Sequence, residues 1–171
     1  HYPDNRLRQL CPEHISYNDD LKLLISDMFE TMYHENGIGL SAIQINEITR
    51  VITIDISKEQ NEQLILINPI ILEKKEPIVF DEGCLSVPGF YEKVDRFNNI
   101  KYQANDIKGD LFESEASDLL AVCIQHEIDH LDGKLFVDYL SDMKRSKIEK
   151  GLHKQKQSQS NISRNKNPYI K

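Results

Sequence analysis

The clearest periodicity in the chain lies between Tyr17 and Gly37. Leu21, Leu24, Ile25, Met28, Phe29 and Met32 recur at three- and four-residue intervals, which places them on one stripe of an amphipathic helix. Ser16 or Asn18 is positioned to cap its start and Gly37 its end. The period then drops to two. In RVITIDIS, Ile52, Ile54 and Ile56 share one face of a strand. QLILIN reads as a second strand, stopped at Asn68-Pro69, and PIVFD, YEKVDRF and NIKYQAN read as further separate strands. In IKGDLFES the Lys-Gly-Asp turn marks a hairpin. A helical period returns from Glu115: Leu119, Leu120, Val122, Cys123, His126 and His130 fall on a common face, with an end expected near Leu131 and Gly133 just beyond. Residues 138–152 form the last expected helix. Helix, several strands, then helix is the layout of an α+β domain.

Composition narrows this picture. The 171 residues suffice for one domain with a core, and 39% hydrophobic with 29% charged residues is the balance of a soluble globular protein. No apolar run approaches the ~20 residues that span a bilayer. The start, HYPDNRLRQL, lacks the apolar stretch of a secretory signal. Cys11, Cys84 and Cys123 are an odd number of thiols, which points to a reducing compartment and leaves at least one free for a metal. Charge is uneven. Residues 153–171 hold five basic and no acidic side chains, so within a net charge of -7 the body, residues 1–152, carries -12. The expected organisation is a single catalytic domain over 1–152 and a basic polar tail over 153–171, rich in Gln, Ser, Asn and Lys and without an apolar period of its own. Such a tail suits an anionic partner, and equally a solvated segment that only aids solubility.

The chemistry concentrates in CIQHEIDHLDG, residues 123–133. His126 and His130 stand four apart, one helical turn, with Glu127 beside them. That is the spacing for two imidazoles on one metal and a carboxylate that shuttles protons. Their stripe also carries Leu119, Val122 and Cys123, so they should face inward, where unpartnered polar groups are costly. A catalytic site wants a third protein ligand. Asp132, Asp138 and Glu149 lie downstream, whereas Cys84, after Gly83 at the end of an apparent strand, is the stronger candidate; an inert buried thiol is the alternative. ENGIGLSAIQI adds Gly37 and Gly39, and Gln44 either aims its amide at a ligand or caps backbone groups.

Taken together and in this order, G-I-G-L-S-A-I-Q, E-G-C-L-S and Q-H-E-I-D-H resemble the three signature motifs of the peptide deformylase family, and YPDNRLR near the start extends the likeness to about Leu140. Ser41 stands where the common form of the first motif has Ala. The likeness starts inside what corresponds to the family's first strand, which implies native residues ahead of His1. The resemblance implies mixed or antiparallel sheets wrapped around a central metal-binding helix. It implies a hydrolase, cytoplasmic or organellar, that removes the N-formyl group from the formylmethionine of new polypeptides and releases formate. Cys84, His126 and His130 would hold one divalent ion, Fe2+ as the working metal with Zn2+, Ni2+ or Co2+ able to substitute. Glu127 would move the proton, and the Gln44 amide with the Leu85 N–H would hold the oxyanion. Glu82 and Arg96 would pair behind Cys84, a surface ion pair worth little being the alternative. Asp129, next to His130 in the chain, need not face the metal and is expected to cap or to bond at the surface. Ile38, Phe80, Leu119, Val122, Cys123 and the His126 ring edge would form the methionine pocket, with the backbone at Ile38 and Gly39 as the edge for an added substrate strand. The basic C-terminal region would dock on the ribosome, and no membrane is involved. Two other readings remain: a metallopeptidase with H-E-x-x-H and a downstream third ligand, and a structural metal closed by Cys123.

Overall fold

The computed structural model describes residues 1–165, with side chains through residue 158. Helix α1 (Asp19–His34) starts at Asn18, whose side chain accepts the Leu21 N–H. At its end the left-handed residue is Asn36 (φ 56), not Gly37. Gly37 instead sends its N–H back to the Met32 carbonyl at 2.8 Å, satisfying a carbonyl the helix leaves open. The apolar stripe is buried as the period requires: Leu21, Ile25, Met28, Phe29 and Met32 pack on Leu40, Val51 and Ile67.

Five strands follow: β1 (Gly39–Ser41), β2 (Val51–Ile54), β3 (Leu64–Cys84), β4 (Val87–Asn105) and β5 (Leu111–Ser117). They pair in sequence order, every neighbour antiparallel, so the sheet is not mixed. Both faces of β2 are covered. Ile52 and Ile54 face the central helix, and Val51 faces α1. The turn at 106–110 closes the β4–β5 hairpin, with Gly109 at φ 92 and the Asp106 N–H on the Asp110 carbonyl.

The segments expected as four separate strands are two long ones. Asn68-Pro69 does not stop β3. It forms a bulge, with Asn68 at φ 52 and the register slipping between Ile67 and Ile70, and a second slip falls between Ile71 and Glu73. Each bulge resets the period of two without ending the strand, which is why the pattern looks broken. A straight strand of this length would run roughly 70 Å. The bends let the base of the β3–β4 hairpin join the core while its tip reaches the side chains of the central helix.

That helix, α2 (Asp118–Leu131), begins after Ser117, because Glu115 still belongs to β5. Residues Ala121 to Ile128 are all buried. A helix this covered needs apolar residues on most sides, and Ala121, Val122, Cys123, Ile124 and Ile128 supply them. Gly133 (φ 71) turns the chain away; a side chain there would lie 2.6 Å from the Arg8 carbonyl.

Helix α3 (Asp142–Asn165) starts later than expected and does not stop at Leu152. Ile148 and Leu152 are buried with Tyr2, Val87 and Phe136, and the helix continues through the first part of the basic segment. Residues 166–171, the rest of that segment, lie outside the described residues. Residues 1–4 form no strand. The Tyr2 N–H bonds the Ser86 carbonyl at 2.8 Å, and the Tyr2 hydroxyl donates to Glu149.

Candidate metal centre

Cys84 is the last residue of β3, and a two-residue turn, Leu85-Ser86, leads into β4. The turn brings the thiol to the buried face of α2. Its Sγ lies 3.2 Å from His130 Nε2, which lies 3.2 Å from His126 Nε2, and the three ligand atoms all fall within 4.8 Å of one another. His126 Nδ1 is 2.8 Å from Glu82 Oε2, so the ring donates there and turns its Nε2 toward the other two atoms. Nδ1 of His130 is buried without a hydrogen-bond partner among the described residues. One sulfur and two imidazole nitrogens converge on a single point. That donor set fits a divalent cation.

The electrostatics agree. Burial favours the neutral His126 ring, but the Cys84 sulfur and the Glu82 carboxylate outweigh it and raise that ring's pKa well above the usual value. Burial and a charged His126 together push His130 well below it.

Behind the ligands runs a buried charge network. Arg96 donates to both Glu82 oxygens, through Nε and through Nη2 at 3.0 Å, and through Nη1 to Asp129 Oδ2 at 2.7 Å. Burial opposes ionisation of Glu82, but His126 and Arg96 overcome it and hold the carboxyl below the ordinary range. Asp129 was expected to cap or bond at the surface. It instead accepts from Arg96 and from the Tyr139 hydroxyl at 2.9 Å, and the guanidinium lies over the Tyr139 ring. The sequence pattern missed this because Asp129 neighbours His130 in the chain, and Tyr139 comes from a separate short turn.

Glu127 is buried beside the three ligand atoms, and burial raises its carboxyl pKa. Its Oε2 accepts the Ser41 hydroxyl at 2.6 Å, a contact that sequence reasoning did not foresee. Gln44 accepts the Ser41 N–H and directs Nε2 toward Ser86 Oγ (3.1 Å) and Cys84 Sγ (3.7 Å). Leu85 lines the same space, and no hydrogen bond among the described residues engages its N–H.

These groups open on a cleft of about 540 Å³. Ile38, Phe80, Leu119, Val122 and Cys123 line it, with Ile38 and Leu119 partly exposed at its mouth. Strand β1 forms the sheet's edge there. The Asp55 N–H bonds the Ile38 carbonyl, so by antiparallel alternation the N–H and carbonyl of Gly39 turn away from β2 toward the open side. A side chain at Gly39 would lie 2.6 Å from Glu127 Oε1 and 2.7 Å from Cys123 Sγ, so only glycine fits.

The competing ligands are engaged elsewhere. Asp132 pairs with Arg50, Asp138 with Arg8, and Glu149 with Tyr2. Cys123 is not in the converging group and approaches the Ile38 carbonyl instead.

A converging Cys-His-His donor set beside a buried glutamate, in an apolar cleft of an α+β domain, defines a class: the metal-dependent hydrolases. A family model described as polypeptide deformylase matches residues 1–146. A peptide deformylase of Pseudoalteromonas translucida is 51% identical over 154 residues, 90% of this chain and 92% of that protein. Among solved structures, a peptide deformylase from Legionella pneumophila superposes with TM-score 0.90 at 44% identity, covering 94% of this chain and 95% of that one. One from Ehrlichia chaffeensis, in complex with actinonin, gives TM-score 0.86 at 35% identity, covering 90% and 94%. The chain belongs to the polypeptide deformylase family, and it is a hydrolase that removes the N-formyl group from the formylmethionine of nascent chains. The metallopeptidase reading falls with this assignment.

Proposed function

We propose that Cys84, His126 and His130 hold the working metal, with Fe2+ as the physiological ion and Zn2+, Ni2+ or Co2+ able to replace it. The observation that carries this reading is the convergence of Cys84 Sγ and the two Nε2 atoms next to Glu127. A bound divalent ion supplies Lewis acidity and brings the pKa of a water toward neutrality. Glu127 takes a proton from the attacking water and hands it to the departing amine, and its burial tunes the carboxyl upward for both halves of that task. As the formyl carbon becomes tetrahedral, Gln44 Nε2 and the Leu85 N–H supply donors to its developing oxyanion. Glu82 holds the His126 ring through Nδ1, and Arg96 holds Glu82, so ligand orientation is fixed from behind.

The substrate backbone adds to the open edge at Gly39, which gives affinity without reading sequence. Its methionine side chain, unbranched and polarisable, fills the pocket of Phe80, Leu119, Val122 and Cys123. The exposed lysines of α3, Lys147, Lys150, Lys154 and Lys156, support docking on an RNA-rich surface such as the ribosome. Ile148 and Leu152 belong to the core, so charge reversal at these lysines tests docking more cleanly than truncation. An enzyme that acts on formylated chains would work in the bacterial cytoplasm or in an organelle.

The decisive measurement is kcat/KM for formyl-Met, formyl-Asp and acetyl-Met tripeptides, paired with metal analysis. Formyl-Met alone should turn over well, because an unpaired charge in the pocket and a larger acyl group are both penalised. Comparable rates for all three would overturn the pocket assignment, and an iron-loaded sample fully active after long aeration would overturn iron as the working metal.

A further inference from the structure

One buried contact at the site belongs to none of the roles above. Ser41 is fully buried, and its Oγ lies 2.6 Å from Glu127 Oε2 and 2.9 Å from the main-chain carbonyl of the same residue. One hydroxyl thus touches both ends of one glutamate. The other carboxylate oxygen, Oε1, lies against Gly39 at the cleft, close enough that a Cβ there would be 2.6 Å away. Glycine at 39 makes room for Oε1, and serine at 41 anchors Oε2. Both residues sit in the three-residue strand β1, whose far end is fixed by the Ser41 N–H on Gln44 Oε1.

We propose that Ser41 is a positioning residue for Glu127. Its hydroxyl donates to Oε2, the shorter of its two contacts, so that Oε1 is presented to the cleft, and it ties the proton carrier to the strand that also holds Gln44. A glutamate has three side-chain torsions, and packing alone leaves its last torsion broad. The donor at Oε2 narrows it to one orientation. The inference rests on the reading of Glu127 as the proton carrier.

The test compares Ser41→Ala, Ser41→Cys, Ser41→Thr, Glu127→Gln and Ser41→Ala combined with Glu127→Gln, each loaded with the same metal. Readouts are kcat, KM, metal content and the unfolding midpoint. Alanine and cysteine at position 41 should lower kcat about three- to tenfold, the range that one net hydrogen bond converts to, with KM and metal content close to the parent. Cysteine keeps the volume but donates weakly, so it separates hydrogen bonding from packing. Threonine restores the hydroxyl and should recover most of kcat. In the Glu127→Gln background, Ser41→Ala should change the residual rate little. A crystal structure of Ser41→Ala should show the Glu127 carboxylate displaced or in two orientations, and this holds as evidence even if threonine proves too large for the site. Parental kcat in Ser41→Ala, an equal loss in the Glu127→Gln background, or an unmoved carboxylate would each overturn the proposal. A fully active Glu127→Gln would instead remove the reading of Glu127 itself, an outcome distinct from any failure at Ser41.

Discussion

Helix α2 has two kinds of buried surface, and they are held by different physics. Toward the sheet, Ala121, Ile124, Ile128 and Leu131 pack on Ile52, Ile54, Leu66 and Ile100. Those contacts are non-directional, and their worth scales with the area removed from water. On its other sides, Gln125, His126, Glu127 and His130 are just as buried, but each answers to a named partner: the Phe97 backbone, Glu82, Ser41 and Cys84. A core of the first kind tolerates a change of shape. A cluster of the second kind fails when one member is lost, because the partner left behind is buried and unsatisfied. The first kind makes the helix stay; the second kind makes it act.

The sharpest break in that comparison is Glu127→Gln. It should lower turnover about 10²–10⁴-fold, while metal content stays at the parent level. Stability should not fall, because burial already disfavours the charged carboxylate that the substitution removes. Paired kinetic and urea-unfolding measurements check this; loss of metal together with activity would reassign Glu127 as a ligand.

Next in size is Arg96→Ala. It leaves Glu82 unpaired in the interior, takes a partner from the partly buried Asp129, and should cost about 3–5 kcal/mol of stability, with metal affinity down about 10–100-fold through the loosened His126 ring. Chemical denaturation and competition with a chelator give the two numbers. An effect below about 1 kcal/mol would place the network in the class of exposed pairs.

Ile124→Val probes the apolar side. It should cost about 0.5–1.5 kcal/mol and leave kcat/KM for a formyl-Met peptide unchanged. A kinetic effect as large as the stability effect would mean that the two surfaces of α2 are not separable.

The smallest effect belongs to the half-buried clamp between Arg8 and Asp138. Burial opposes ionisation of Asp138, but the hydrogen bonds from Arg8 and the Leu135 N–H lower its pKa below the ordinary 3.8. A depressed carboxyl stabilises the fold above its unfolded pKa and loses that contribution as pH falls through the folded value. Arg8→Ala should therefore cost up to about 1 kcal/mol near neutral pH, and the gap from the parent should close below about pH 4. A gap unchanged at pH 3 would show that Arg8 acts through packing on Tyr2 rather than through charge.

Most of this protein's chemistry was legible in the chain because it is local. The spacing of His126 and His130 places two imidazoles on one helical face whatever surrounds the helix, and the stripe from Leu21 to Met32 is a helix face on period alone. The hairpin from Asn105 to Leu111 announces itself through its turn residues. What folding decided is what depends on distance across the fold. Bulges at Asn68 and beyond Ile71 joined short patterned segments into two long strands, because a bulge shifts register without leaving a residue type that marks it. The end of α1 fell to Asn36 over Gly37 by backbone geometry alone. Leu152 did not end α3, because Ile148 and Leu152 find a core with Tyr2 and Phe136 from elsewhere in the chain. Asp129 joined Arg96, and Ser41 reached Glu127, across 33 and 86 positions of sequence. Periodicity encodes the direction of a side chain from its own backbone, so ligands on one helix can be read from the sequence. The partner that waits in that direction is set by the packing of whole elements.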